Sequence, residues 1–467
     1  MRKVTVAAFG VFLMGGGVSA LSLPSQAQTL QEALAAAYLN NPTLQAGRAS
    51  LRATDESLPQ AKDGWRPSIS LTGTQGRSNQ KIHSTGSSSD NDRTFWSAEL
   101  SVTQNLYEGG GTEADIEAAE ANILSARASL HSTEQSILLQ AATAYLDVVR
   151  DQAVLELNIQ NEARLEKQLE ATRDRFEVGE VTRTDVAQAE SRVSRARADR
   201  IDAKGNLETS KAVYEQIIGE QPNSISAPVI QLELPVNRDD AIALAQQKNP
   251  SVVAAEFDHK ASVSTIRGEY ADLLPSLDLS GSLSRSRNTS LDDRTTDDAT
   301  VTATLTVPLY QQGAAHSEVR EAKQSAAQAA REIDEARRSS IESAASGWET
   351  FQSSLAQIAA FEDEVRATTI ALEGVEQEAA VGSRTVLDVL DAEQELLDAR
   401  VSLVQSKRDE LVARFELLSA VGGLTARDLD LPVSLYDEKK YYNDVKDQLW
   451  GIGEETEGEG PLSPVFR

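Results

Sequence analysis

The chain has 467 residues, of which 5% are aromatic and none is cysteine. So few aromatic residues, among long stretches rich in alanine, serine, glutamate, glutamine and arginine, are typical of long helices rather than of a thick globular core. The formal net charge of -27 argues against nucleic acid as a partner, because phosphates need compensating cations. Without cysteine the chain can form no disulfide, thiolate metal site or lipid-modified cysteine.

Residues 1–27 have the features of a secretory signal peptide. Arg2 and Lys3 precede an uncharged apolar run, and Ser25 and Ala27 supply the small residues of a cleavage site. A membrane anchor is the alternative, but the apolar run is short and is interrupted by consecutive glycines. We therefore expect cleavage before Gln28 and export of the mature chain from the cytoplasm.

The rest of the chain consists largely of one unit that occurs twice. Asn41-Pro42 recurs as Asn249-Pro250, and Val178-Gly179 recurs as Val381-Gly382, at a nearly constant spacing. A constant spacing between several landmarks indicates a tandem duplication. The predicted parts are a first repeat over residues 28–220, a second repeat over residues 237–423 and a C-terminal segment over residues 424–467.

Each repeat begins with a short amphipathic helix that stops at the Asn-Pro pair. Proline suits the first turn of a helix and disfavours helical geometry in the residue before it, so a second helix should start there. We expect this second helix from Thr43 to Asp63 in the first repeat and from Ser251 to Asp272 in the second.

A β-hairpin follows in each repeat, over residues 66–107 and 275–310. Apolar residues such as Trp96 and Leu100 alternate with small polar residues in these runs. Strands of about 10 residues with one apolar and one polar face fit the wall of a membrane barrel, whereas a half-buried sheet of a sandwich is the alternative. In the first hairpin, residues 78–93 should form a polar loop.

Two long antiparallel helices complete each repeat, over residues 112–218 and 314–421. From Thr112 to Val178 the sequence has neither glycine nor proline, so one helix could reach roughly 100 Å. The last helix carries two adjacent apolar stripes at heptad spacing, which suits a helix with neighbours on both sides. One stripe contains Leu390, Leu397, Leu411 and Leu418, and the other contains Val389, Leu396, Leu403 and Leu417.

The predicted strands require more than one copy of the chain. Four strands cannot close a membrane barrel, because about eight are the practical minimum. Open strand edges in lipid would leave backbone groups unpaired, at a cost of several kcal/mol each. The chain must therefore oligomerise, and the strands alone allow either two copies or three.

Signs of an enzyme are weak. The histidines at positions 83, 131, 259 and 316 are scattered and form no ligand spacing. The YEGGG segment between a strand and a long helix resembles a phosphate loop but lacks its Lys-Ser/Thr pair and its glycine spacing. The acidic loops lack the glycine and distal glutamate of a Ca²⁺ loop. We expect no catalytic residue, no metal site and no cofactor.

The turns between the long helices carry the most specific motif. The second turn reads VGSRTVLDVLDAEQ, in which Arg384, Asp388 and Asp391 should share one helix face, although an ordinary salt-bridged surface is the alternative. Together with the signal peptide and the duplicated unit, this turn resembles the TolC family of outer-membrane efflux proteins. The resemblance covers nearly all of residues 28–424 and is closest to the branch that serves type I protein secretion and multidrug export.

This resemblance implies a mainly α-helical fold with membrane β-strands. The family forms a homotrimer in which a twelve-stranded β-barrel in the outer membrane continues into a twelve-helix tunnel through the periplasm. The helix tips close the tunnel and dock on a periplasmic adaptor and on an inner-membrane ABC or proton-driven transporter. The implied function is a passive exit duct for type I protein secretion, multidrug efflux or both.

The resemblance also assigns roles to residues at the tips. Arg384 is similar to the arginine that ties neighbouring hairpins shut, and the partners of that arginine match Thr184 and Asp185. Asp388 and Asp391 match the carboxylates of a constriction, where they should attract cations. Ala379 stands where the secretion branch has a tyrosine that joins this lock, which suggests either a looser closure or another residue in the place of the tyrosine. The adaptor-docking tips match Val178, Gly179, Val381 and Gly382.

Two other functions compete with the exit duct. An exported structural or adhesive coiled coil would not need alternating strands at matching places in both repeats, and a periplasmic adaptor normally has a single helical hairpin. Beyond Leu424 the periodicity is lost. We expect the segment as far as Trp450 to pack around the middle of the tunnel, and the acidic remainder to be disordered.

Overall fold

The computed structural model describes residues 28–228, 232–289 and 294–452. The predicted signal peptide and the acidic end of the C-terminal segment lie outside these residues. The described chain is mainly helical with one small sheet, and helices and hairpins follow each other in the predicted order. No helix within these ranges combines the length and the hydrophobicity needed to cross a membrane.

In the first half of the chain, the described residues form five helices, a 3₁₀ turn and two strands. In chain order they are α1 Leu30–Asn40, α2 Pro42–Asp55, α3 Ser57–Ala61, the 3₁₀ turn Lys62–Trp65, β1 Ser68–Ser84, β2 Ser87–Glu108, α4 Gly111–Glu177 and α5 Arg183–Ile218. The second half repeats this order and adds one short helix. Its elements are α6 Arg238–Lys248, α7 Pro250–Ala271, β3 Ser276–Arg287, β4 Thr295–Thr306, α8 Ala314–Ala380, α9 Val386–Ala420 and α10 Lys440–Val445.

The first Asn-Pro pair joins two helices end to end. Asn41 Oδ1 accepts a hydrogen bond from the backbone N–H of Thr43 at 2.9 Å and so caps α2. Its Nδ2 donates to the carbonyl oxygen of Ile217, in the last turn of α5, also at 2.9 Å. One buried amide side chain therefore satisfies the open end of two helices at once, which requires both a donor and an acceptor.

The second Asn-Pro pair forms the same junction. Asn249 Oδ1 accepts from the backbone N–H of Ser251 at 2.9 Å, and its Nδ2 donates to the carbonyl oxygen of Ala420 at 3.1 Å. The chain leaves α9 through Gly422, which has a φ of +81°. A Cβ at this glycine would lie 2.5 Å from the carbonyl oxygen of Lys248, so the junction leaves no room for a side chain.

The two junctions build two-piece columns beside one-piece columns. α2 and α5 lie end to end along α4, and α7 and α9 lie end to end along α8. α4 also contacts α7 and α9, which joins the two halves of the chain. The one-piece helices α4 and α8 have 67 residues each, or about 100 Å.

The two apolar stripes of α9 face different neighbours, as predicted. Val389 and Leu396 pack with Leu372 of α8. Leu390 packs instead with the α4–α5 pair, and Leu418 lies in the main core that α4 and α5 share with α1. The two adjacent heptad stripes therefore place α9 between α8 on one side and the α4–α5 pair on the other.

The predicted helix from Thr43 to Asp63 is wrong in its continuity. α2 ends at Asp55, and α3 begins at Ser57. Pro59 has no N–H to bond the carbonyl of Asp55, and its ring would clash with that carbonyl in an unbroken helix. The corresponding helix α7 contains no internal proline and runs without a break from Pro250 to Ala271.

The four strands form one antiparallel sheet in the order β1-β2-β3-β4. The predicted polar loop over residues 78–93 is wrong, because β1 continues to Ser84 and β2 starts at Ser87. The chain reverses at Thr85 and Gly86, where the glycine has a φ of +93°. Backbone pairing extends these strands into a segment whose side chains are nearly all polar.

We predict that Asn249→Asp destabilises the protein even though aspartate is as good a helix cap as asparagine. The carboxylate retains the cap on Ser251 but places an acceptor opposite the carbonyl oxygen of Ala420. The expected loss is about 1 kcal/mol, the lower end of the cost of leaving a buried polar group unpaired, because this contact is only partly buried. Denaturant unfolding of the purified variant measures it, with Asn249→Ala losing at least as much. Wild-type stability of the aspartate variant would show that the donated bond contributes nothing.

Candidate functional site

The two turns between the long helices close with the same hydrogen-bond pattern. Gly179 N donates to the carbonyl oxygen of Phe176 at 3.0 Å, and Gly382 N donates to that of Ala379 at 3.1 Å. Both glycines have positive φ, +82° and +80°, as the left-handed end of a helix requires. The exposed residues Val178 and Val381 precede these glycines, so both tips present a valine and a glycine to the surroundings.

A capping box follows each turn. Thr182 donates its N–H and its hydroxyl to Asp185 Oδ2, at 2.8 and 2.7 Å, and Asp185 N donates back to the threonine hydroxyl at 3.3 Å. Thr385 and Asp388 form the same pattern, with both threonine bonds at 2.8 Å. These hydrogen bonds hold the pKa of each carboxyl below its usual value. The Thr-x-x-Asp spacing could have revealed this role from sequence.

The predicted single face for Arg384, Asp388 and Asp391 is wrong for the arginine. α9 begins at Val386 with Thr385 as its cap, so Arg384 lies in the turn before the helix. Arg384 Nε donates to Glu378 Oε2 of the same hairpin at 2.8 Å, and this contact raises the pKa of the guanidinium. Both side chains are about half exposed, so the pair is accessible to water and to other partners.

Asp391 has a partner that the sequence did not indicate. Arg192 of α5 donates to Asp391 of α9, which links the first helical hairpin to the second. Next to this pair, Val386 and Leu390 pack against Leu165 of the first hairpin. An ion pair and an apolar contact therefore hold the two tips of one chain together.

The predicted latch residues do not meet within one chain. Thr184 is exposed, and Asp185 is engaged by the cap of α5. Among the contacts of the described residues, none joins Arg384 to either of them. All cap bonds of Asp185 go to Oδ2, and a carboxylate accepts through both oxygens, so the cap is compatible with a further partner.

Ala379 lies in the seam between α8 and α9. Its side chain is buried and packs with Leu372, Val389 and Leu396. The side chain at this position therefore packs inside its own hairpin rather than towards a neighbouring one.

The sheet has one apolar face, which is exposed. Leu71 of β1 is 77% exposed, and Val301 of β4 is 80% exposed. The strand register aligns these side chains in rows that cross all four strands. One row is Leu71, Leu100, Leu283 and Ala299, and the next is Ile69, Val102, Gly281 and Val301.

The opposite face of the sheet carries mainly hydroxyl groups. The hydroxyls of Ser70 and Ser101 lie 2.7 Å apart across β1 and β2. Rows on this face are Ser68, Thr103, Ser280 and Thr302, then Ser70, Ser101, Ser282 and Thr300, then Thr72, Glu99, Ser284 and Asp298. A single sheet thus presents an apolar face on one side and a polar face on the other.

Comparison with known proteins gives a consistent result. The family model described as Outer membrane efflux protein matches residues 30–220 and 241–423. The chain is 34% identical over 428 residues to the outer membrane efflux protein BepC of Brucella suis biovar 1 (strain 1330), covering 91% of this chain and 92% of that protein. It is 27% identical over 433 residues to the outer membrane protein TolC of Escherichia coli (strain K12), covering 89% and 87%.

The fold is also similar to solved structures. The Campylobacter jejuni CmeC outer membrane channel superposes with a TM-score of 0.77, covering 90% of this chain and 89% of that one. The two sequences are 15% identical, so this likeness concerns the fold alone.

Proposed function

The chain belongs to the outer membrane efflux protein family, and we propose that it is the passive exit duct of a tripartite export system. It is a channel protein of the outer membrane, and its helical part extends into the periplasm. This assignment favours the duct over the exported adhesive coiled coil.

The two-faced sheet is the observation that carries the proposal. Its exposed apolar rows suit contact with lipid, and its hydroxyl rows suit a water-filled interior. Among the residues that the structure describes, its edge strands β1 and β4 each have one unpaired side. Three copies would pair these edges around a ring and give a closed barrel of twelve strands, with no open edge in lipid.

In the proposed trimer, the long helices would extend from the ring of strands into the periplasm. Each chain supplies two one-piece columns and two two-piece columns, and three chains would give a tunnel wall of twelve columns. The tips lie about 100 Å of helix away from the sheet. We propose that Val178, Gly179, Val381 and Gly382 dock there on a periplasmic adaptor, which couples the duct to an inner-membrane ABC or proton-driven transporter. The energy then comes from that partner, and the duct itself catalyses no reaction.

The tips also support a gate made of exchangeable ion pairs. Arg384 holds Glu378 of its own hairpin, and Asp185 of a neighbouring hairpin would compete for the same guanidinium in the closed state, beside Thr184. Exposed ion pairs contribute little free energy, so a docking partner could shift this exchange. Asp388 and Asp391, repeated in three copies, would form an acidic constriction at the mouth.

We predict that Arg384→Gln and Asp185→Asn each raise the single-channel conductance in planar lipid bilayers, because both remove the closed-state contact between hairpins. Asparagine can still accept the cap bond from Thr182, which keeps α5 intact. Glu378→Gln is the matched control: it removes only the contact within one hairpin and should leave conductance unchanged or lower it. Unchanged conductance in both gate variants would contradict the latch.

The constriction predicts a change in selectivity. Asp388→Asn combined with Asp391→Asn should lower the permeability of cations relative to anions, because it removes acidic charge at the mouth and leaves Arg192 without its partner. Reversal potentials across a KCl gradient give this ratio. If the double variant keeps the wild-type reversal potential, the selectivity of the pore is set elsewhere.

A further inference from the structure

The C-terminal segment runs along the first column of helices towards the sheet. As far as Tyr436 it packs on the main core. From there it continues to the residues that precede β1, so the prediction that it packs around the middle of the tunnel as far as Trp450 is wrong for its last part. Apart from the contact of Glu438 with His131 of α4, its contacts follow chain order on both sides. They are Tyr436 N to the hydroxyl of Tyr38 at 3.0 Å, Glu438 to His131 at 3.4 Å, Tyr441 to Glu56 at 2.6 Å, Asp447 to Lys62 at 2.8 Å and the carbonyl of Gln448 to Arg66 at 3.0 Å.

Two cations fasten this segment at the foot of the sheet. Lys62 Nζ donates to the carbonyl oxygen of Lys446 and to Asp447 Oδ1, both at 2.8 Å. Arg66 Nη1 donates to the carbonyl oxygen of Gln448. Lys62 is the first residue of the 3₁₀ turn and Arg66 follows this turn, shortly before β1, so the fastened residues lie where the helical part meets the sheet.

Directly after this attachment, three large apolar side chains are exposed. Leu449 and Trp450 are 76% and 90% exposed, and Ile452 is fully exposed. Single exposed apolar residues are ordinary on protein surfaces. Three within four residues, directly after the fastened residues, form an apolar patch of the kind that marks contact with an apolar partner.

The neighbours of this patch indicate which partner fits. Trp65, between the two cations, is partly exposed, and Gln104 Nε2 of β2 donates to its carbonyl oxygen at 3.2 Å. Tyr107 is exposed near the same end of β2. Tryptophan and tyrosine at the end of an apolar strand face are typical of the membrane–water interface, and lysine and arginine beside them suit phosphate headgroups. The patch therefore follows directly after an attachment beside residues that are typical of the membrane–water interface.

We propose that Leu449, Trp450 and Ile452 form a membrane anchor that inserts into the periplasmic leaflet of the outer membrane beside the foot of β1. The partner is the phospholipid surface, with acyl chains against the three side chains and headgroups near Lys62 and Arg66. The anchor goes beyond the export function but rests on the proposed membrane position of the sheet. One such anchor per chain would fix the height of the barrel in the bilayer at a point outside the strands.

Spin labels test this placement, because a chain without cysteine allows single labelling sites. We would attach a nitroxide to Trp450→Cys, to Leu71→Cys on the apolar face of the sheet and to Val381→Cys at a helix tip. The full-length protein is reconstituted into vesicles of phosphatidylethanolamine and phosphatidylglycerol. Power saturation compares the collision of each label with oxygen, which enriches in lipid, and with a water-soluble nickel complex.

The anchor predicts that the label at position 450 favours oxygen over the nickel complex, as at position 71 and unlike position 381. Lys62→Ala combined with Arg66→Ala should reduce this preference, because the attachment is lost. Nickel accessibility at position 450 equal to that at position 381 would overturn the anchor, and so would shielding from both reagents, which would indicate a neighbouring subunit. If position 71 also behaves like position 381, the proposed barrel fails together with the anchor.

Discussion

Backbone groups within a lipid bilayer must be paired by the protein, because no water is present to replace a missing hydrogen bond. In this chain β2 and β3 are paired on both sides, whereas β1 and β4 are each paired on one side only. The duplication supplies two hairpins that share one sheet, yet four strands remain too few to close. This constraint connects the exposed apolar rows, the hydroxyl rows and the need for further copies in one explanation.

The helical part must instead place shorter helices along most of the length of the long one-piece helices. A one-piece helix of 67 residues must be accompanied along most of its length by shorter helices. Asn41 and Asn249 solve this by joining two helices end to end, each with one acceptor and one donor on the same side chain. Because both repeats use the same junction, the two two-piece columns are built alike, and the ion pair of Arg192 with Asp391 holds the tips of both hairpins side by side.

Most of the fold follows from the sequence, since periodicity reports directly which side of an element is buried. The long helices, the two stripes of α9 and the apolar parts of the strands were all predictable. The extension of β1 to Ser84 was not predictable. Its outer residues are nearly all polar, so apolar and polar side chains no longer alternate there, whereas the backbone hydrogen bonds to β2 continue. The sequence shows Pro59 inside the predicted second helix, but an internal proline can either kink a helix or end it, and the sequence does not tell which. The partners of Arg384 and Asp391 depend on which of several charged groups the tertiary fold brings near, which spacing does not reveal.

Closure of the sheet by neighbouring copies can be measured with cysteine pairs on its edge strands. Ser70→Cys in β1 would be combined in turn with cysteine at each residue of β4 on the same face, because closure staggers the register between copies by an amount that one chain does not fix. These residues are Thr296, Asp298, Thr300, Thr302, Thr304 and Thr306. β2 and β3 hold β1 and β4 too far apart for a disulfide within one chain. A closed trimer predicts that one register, after oxidation in membranes, gives covalent dimers and trimers on denaturing gels and nothing larger. An absence of cross-links in every register, or a ladder beyond three chains, would contradict the closed three-copy barrel.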